Sequence, residues 1–342
     1  MRPFYYLLFI LTLMGCTSAE ESHGYSRVTI KTLLTDTMSI RALEVMDGSV
    51  AFAGTNGFFG TIDIQYEHIR SNQQVYDTLL PEFRAIGHTQ SDFFMLSVGR
   101  PALLYKTSDS GKMELVYKED SEGVFYDAMA FWNDREGIAI GDAMAGCLSI
   151  LITRDGGHTW NKTACDQLPP ALQGEGAFAA SNTNIAIVGE QAWVGTTAGR
   201  VYYSPDKGKT WQVTETPVRK NDPTEGIYSV AFYSDRQGII VGGDYSQPEN
   251  TERTVALTND GGKQWLLGDE ANQLEYKSCV QYIPHSGGND LVAVGFTGIS
   301  YSNDKGVSWK ELSEESFYTI RFVNDSIAYA AGRDRIALLR FN

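Results

Sequence analysis

Arg41, Arg84, Asp127, Glu175, Tyr228, Lys277 and Tyr318 occupy matching places in a pattern that repeats along the 342-residue chain, with Ser278 beside the lysine. Three cations, two carboxylates and two phenols around one opening would hold a small anionic or sugar-like ligand. The alternative is a hydrated lining whose charges pair with one another. Asp142, Asp244 and Tyr245 follow apolar runs that end in glycine, which places them in loops on the same face; aspartate also favours such turns for its own hydrogen bonding. Cleavage of an acidic glycoside would use these residue types differently: arginines on the substrate carboxylate, a tyrosine nucleophile activated by a glutamate, and an acidic aspartate. Arg41, Arg84, Tyr318, Glu175 and Asp127 can be fitted to those roles. A third arginine is missing, because Arg321 lies further along its strand and is expected to point away from the opening. Binding without turnover is the expected activity, with no cofactor.

What positions these residues is a repeated turn. Thr153-x-Asp155-x-Gly157-x-Thr159-Trp160 returns as Ser204-x-Asp206-x-Gly208-x-Thr210-Trp211, as Thr258-x-Asp260-x-Gly262-x-Gln264-Trp265 and as Ser302-x-Asp304-x-Gly306-x-Ser308-Trp309. A worn copy, Thr107-x-Asp109-x-Gly111, lacks the tryptophan, and Thr61-Ile-Asp63 stands where the first unit would carry its copy. Successive aspartates lie 46, 51, 54 and 44 residues apart, a period that marks a repeat architecture with room for four short strands per unit. The carboxylate can accept backbone N–H groups across a hairpin, the glycine can take a positive φ, and the tryptophan offers an apolar face to a neighbouring unit. These aspartates are therefore read as structural staples. Upstream of each turn lies a second repeat, clearest in Asp127 to Gly141 and Tyr228 to Gly242, that reads as two strands joined by a tight turn.

Seven such units are legible, which predicts an all-β, seven-bladed β-propeller over residues 25–342. The last unit lacks an outer strand, and the otherwise unassigned segment 27–34 can supply it beside 335–341, closing the ring and removing exposed edges. A hairpin centred near residue 156 pairs positions whose numbers sum to about 312, as 147 and 165 do. Cys147 and Cys165 are then opposite each other and able to form a disulfide, or to remain two reduced, buried side chains. Cys279 reads as core.

Composition narrows the partners. A formal net charge of −14 would repel phosphate backbones and anionic lipid surfaces, so nucleic acid is excluded as the expected partner. The five histidines show no metal-ligand spacing. Residues 1–16 carry Arg2, an apolar run from Phe4 to Met14, and Gly15-Cys16. That run is short for a membrane span and reads as a signal peptide. Leu13-Met14-Gly15-Cys16 resembles the bacterial lipobox, in which the cysteine is acylated; a plain cleaved signal is the alternative. The expectation is an exported protein, lipid-anchored through Cys16 to a bacterial membrane on the periplasmic or cell-surface side, with residues 17–24 as tether.

The staple resembles the Asp-box, or BNR, repeat of sialidases, sortilin-type propellers and photosystem II stability/assembly factors. Segments such as Ser39 to Leu43, Ala53 to Gly57, Phe125 to Trp132, Gly174 to Ala180 and Val241 to Tyr245 resemble the photosystem-II-assembly-factor-like proteins, often labelled oxidoreductases. The resemblance implies a propeller and, from its photosystem-related cousins, a role in assembling a membrane complex. It does not imply a photosynthetic role. The oxidoreductase label has no physical basis in these residues, since no Gly-rich dinucleotide fingerprint and no CxxC pair is present. The expected role is a binding or assembly scaffold for an envelope protein or a small polar ligand, with the insertion 245–253 as a further contact element; the alternative is a sialidase-type glycoside hydrolase.

Overall fold

Runs such as Gly238–Asp244 are buried along their whole length rather than on alternate residues. A strand reads that way when apolar layers cover both faces of its sheet. The computed structural model describes residues 24–107 and 110–342, and in it each antiparallel sheet is sandwiched between two others around a central axis. The signal peptide, Cys16, the tether up to residue 23 and Asp109 of the worn staple lie outside the described residues.

The ring contains six blades, which corrects the seven expected from the repeats. Five are four-stranded, and the sixth is a six-stranded sheet built from both ends of the described chain. The reason is the length of two strands. Val28–Met46 and Ile327–Phe341 each run as one strand from the closing ladder into the neighbouring repeat, across register shifts after Thr32, Thr35 and Ile40. The units expected to be first and last are thereby one blade. The ladder itself runs from Val28 opposite Phe341 to Ser39 opposite Arg333, with register shifts after Thr32 and Thr35.

Apolar layers fill the spaces between blades. Trp193 stacks on Phe232 at 3.8 Å, and Trp265 of the next staple meets the same phenylalanine edge-on. Trp160 likewise stands edge-on to Phe94 and Phe131. In the staple around Asp206, the Ser204 hydroxyl and the Thr210 amide donate to the carboxylate at 3.0 and 2.8 Å, while the Gly208 amide donates to Ser204 Oγ. The turns at Asp155, Asp260 and Asp304 repeat this arrangement. Gly157 has φ +78°, and a Cβ there would lie 2.2 Å from the Phe94 ring, so only glycine lets the turn seat against the preceding blade. Cys147 and Cys165 are joined by a disulfide, with Cys165 in a short 3₁₀ turn rather than on the outer strand.

One repeat departs from the others in a way that shapes the site. Its inner strand begins only at Ile185, and the preceding residues cross the axis instead of pairing in their own blade. Asn182 donates to the Ile86 carbonyl and accepts from the Met129 amide, Ser181 donates to the Ser278 carbonyl, and Thr183 bonds Ser229. The axis is therefore plugged by a polar segment in which Ser181, Asn182 and Thr183 bond to several blades, whereas the buried side-chain amide of Asn184 has no hydrogen-bond partner among the described residues.

Candidate functional site

On the face opposite the staples, the connections between blades and between second and third strands surround a cup of about 350 Å³, with residues 177–180, leading into the plug, in its wall. Arg41, near the middle of Val28–Met46, and Arg84, on Phe83–His88, line one side. The rest of the wall is aromatic. Phe178 stacks on Tyr228 with ring centres 3.8 Å apart, Tyr228 meets Tyr276 at 4.8 Å, Tyr276 meets Phe296 at 4.9 Å, and Phe296 meets Tyr318 at 5.7 Å. Arg41 completes this arc, its guanidinium 4.0 Å from the centre of the Tyr318 ring.

The two arginines differ. Arg84 donates through Nε to Glu82 at 2.8 Å. Arg41 has neither a hydrogen bond nor an ion pair to any described residue. Burial, and then the like charge of Arg84, lower its pKa from the usual guanidinium value, although arginine stays charged at any physiological pH. A half-buried cation with free N–H groups and an aromatic backing is suited to a carboxylate or similar anion.

Two carboxyl groups lie behind the cup wall. Asp142 accepts the Ala177 amide at 3.2 Å, and burial pushes its pKa up to about 6. A Cβ on Gly176 would lie 1.8 Å from the Asp142 oxygen, so this close approach requires glycine. Asp127 is wholly buried, and neither of its oxygens has a hydrogen-bond partner among the described residues. Burial first, and then the charge of Asp142, raise its pKa well above its ordinary value, which favours the protonated form. It is not on the cup surface.

Other expected site residues are placed elsewhere. Glu175 is fully buried in an ion pair with Arg200 and also accepts from Thr196 Oγ1 at 2.8 Å and the Leu172 amide at 2.9 Å. The buried Tyr202 hydroxyl also donates to it at 3.2 Å, so its oxygens are engaged away from the cup and no hydrogen bond joins it to Tyr228, Tyr276 or Tyr318. Lys277 turns away from the cup and donates to Thr297 Oγ1 at 2.8 Å; burial lowers its pKa to about 8. Asp244 caps the next turn, accepting from the Ser246 amide and hydroxyl, whereas Tyr245 is half-exposed at the cup rim. Arg321 was expected to point away from the channel. Instead it reaches inward along the axis to the Thr319 hydroxyl and to Glu44, held by the plug at the Asn182 carbonyl and apart from the cup. The three-arginine cluster of a sialyl site is not assembled. Among the described residues, no group of three or more His, Cys, Asp or Glu side chains could hold a metal ion.

Comparison with known proteins agrees with this architecture. A family described as the DUF6242 beta propeller domain matches residues 179–322. The structure described as YCF48 bound to D1 peptide aligns over 94% of this chain and 98% of its own, with a TM-score of 0.65 and 15% identity. YCF48 from Cyanidioschyzon merolae aligns over 92% and 99%, with a TM-score of 0.65 and 12% identity. The fold is that of a β-propeller. The same fold is shared by the RRP9 WD40 repeats at a TM-score of 0.64 and 9% identity, over 92% of this chain and 97% of that one. At such identities the likeness shows architecture alone. No curated protein matches the sequence.

Phe125, Phe178, Tyr276 and Phe296 were not singled out as cup residues from the sequence. A signal for two of them exists: Phe125 and Tyr276 each sit just ahead of the inner-strand positions Asp127 and Ser278.

Proposed function

We propose that this propeller is a non-catalytic binding scaffold of the bacterial envelope, exported and lipid-anchored through Cys16, whose cup takes an anionic group of a protein partner or small ligand. The observation that carries the reading is Arg41, an unpaired guanidinium held against Tyr318 inside an aromatic wall. The solved YCF48 whose description includes a bound D1 peptide supports a peptide-bearing partner for a propeller of this form. Engagement of Glu175 by Arg200 and by the buried Tyr202 supports binding over glycoside turnover, because no tyrosine of the cup is paired with it.

The test is affinity capture from detergent-solubilised membranes with the acylated protein and with Arg41→Ala. The reading expects a partner retained by the first and lost by the second. Equal capture by both proteins, or turnover of a sialyl glycoside that disappears in Arg41→Ala, would overturn it.

A further inference from the structure

The path of the chain through the closing blade decides which face of the ring a Cys16 anchor would hold to the bilayer. Val28 pairs with Phe341 at one end of the ladder, and Ser39 pairs with Arg333 at the other. The Val28 end belongs to the staple face. Tyr25 Oη donates to the carbonyl of Asp325 at 2.7 Å, in the turn between the inner strands, and the Gly24 amide donates to Tyr301, the residue before staple Ser302. Ring contacts of Tyr25 with Tyr301 and Phe341 fix the same end. Arg41 and Tyr318 lie at the opposite end, where the cup opens.

We infer that the staple face is the membrane-proximal surface and that the cup opens away from the bilayer, toward a partner in the aqueous phase or a soluble segment projecting well clear of the membrane. The lengths support this. From Cys16 to Gly24 the chain spans at most roughly 28 Å when fully extended. A seven-residue blade strand such as Gly238–Asp244 is already about 23 Å long before its turns are added. The tether's reach is close to the length of one such strand with its turns, and it leaves from the face opposite the cup, which disfavours bringing the cup against lipid headgroups. The orientation points to a cup ligand in the aqueous phase rather than a lipid or a membrane-buried residue.

This inference rests on the anchoring proposed above, and its test separates the two. Full-length protein would be reconstituted in phosphatidylethanolamine/phosphatidylglycerol vesicles carrying an energy-transfer acceptor on the headgroups. One sample carries a donor dye at Asn303→Cys on a staple, another at Glu249→Cys on the cup-side insertion; both positions are exposed, and the native free Cys279 is buried. Stronger transfer from position 303 is expected. Equal or stronger transfer from position 249 overturns the orientation while leaving the anchor standing. Absence of an acyl group on Cys16 by mass spectrometry, or vesicle flotation unchanged by Cys16→Ser, overturns the anchoring reading and the orientation with it.

Discussion

Arg41 and Tyr318 are 277 residues apart in the chain, yet the guanidinium of one lies 4.0 Å from the ring centre of the other. Arg41 lies on a strand of the six-stranded blade in which the two ends of the described chain are paired, and Tyr318, just ahead of another, donates its amide to the Ala331 carbonyl of that sheet. The ladder that closes the ring therefore also builds the decisive wall of the cup. Fold and site depend on the same hydrogen bonds.

The buried pair of Glu175 and Arg200 predicts a large loss of stability without a change of site. Both side chains are nearly inaccessible, at 0% and 8% exposure. Glu175→Ala leaves the guanidinium buried and uncompensated, so denaturant unfolding should show a loss of about 3–5 kcal/mol. Partner binding by the folded fraction should be unchanged.

The staple aspartates predict a loss on acidification. Burial alone would raise the Asp206 pKa, but hydrogen bonds from Thr210, Ser204 and Lys209 outweigh it and hold the carboxyl below its usual value. A depressed folded pKa means a contribution that is present above the unfolded value and lost as pH falls through the folded one. Asp206→Ala should lower stability by about 1–3 kcal/mol at pH 7, and its deficit relative to the parent should shrink below pH 4.

Asp142 behaves in the opposite sense. Burial raises its pKa to about 6, so the folded state binds the proton more tightly than the unfolded chain does. Its contribution is present below the unfolded carboxylate value near ~4 and declines as pH rises through about 6. Asp142→Asn retains an acceptor for the Ala177 amide. Thermal unfolding across pH 4–8 should show the variant gaining stability over the parent as pH rises, by roughly 1–3 kcal/mol at pH 8.

Local chemistry was readable in the sequence where partners are near in the chain. The staple hydrogen bonds all lie within a span such as Ser204 to Thr210, and the closing ladder was implied by an unpaired apolar segment at each end. Arg41, Arg84, Tyr228 and Tyr245 do meet at one cup. Glu175 and Lys277 occupy the expected level of their repeats, but their side chains are claimed by Arg200 and Thr297, more than a strand away. Repeat alignment places a Cα and says nothing of which neighbour captures the side chain. The count of blades failed for a related reason: repeats can be counted in a sequence, whereas a strand that continues from one unit into the next is visible only in its hydrogen bonds. The plug at Ser181–Asn184 left no mark, because its small polar residues read as an ordinary loop.

The most direct measurement is the dissociation constant of the captured partner for the parent protein, for the Arg41→Ala/Arg84→Ala double variant, and for Lys209→Ala on an exposed staple turn. Loss of two charge-assisted contacts predicts weakening by about 100-fold or more in the double variant, with the Lys209 variant within about twofold of the parent. Equal affinity in the double variant and the parent would contradict the cup as the binding site.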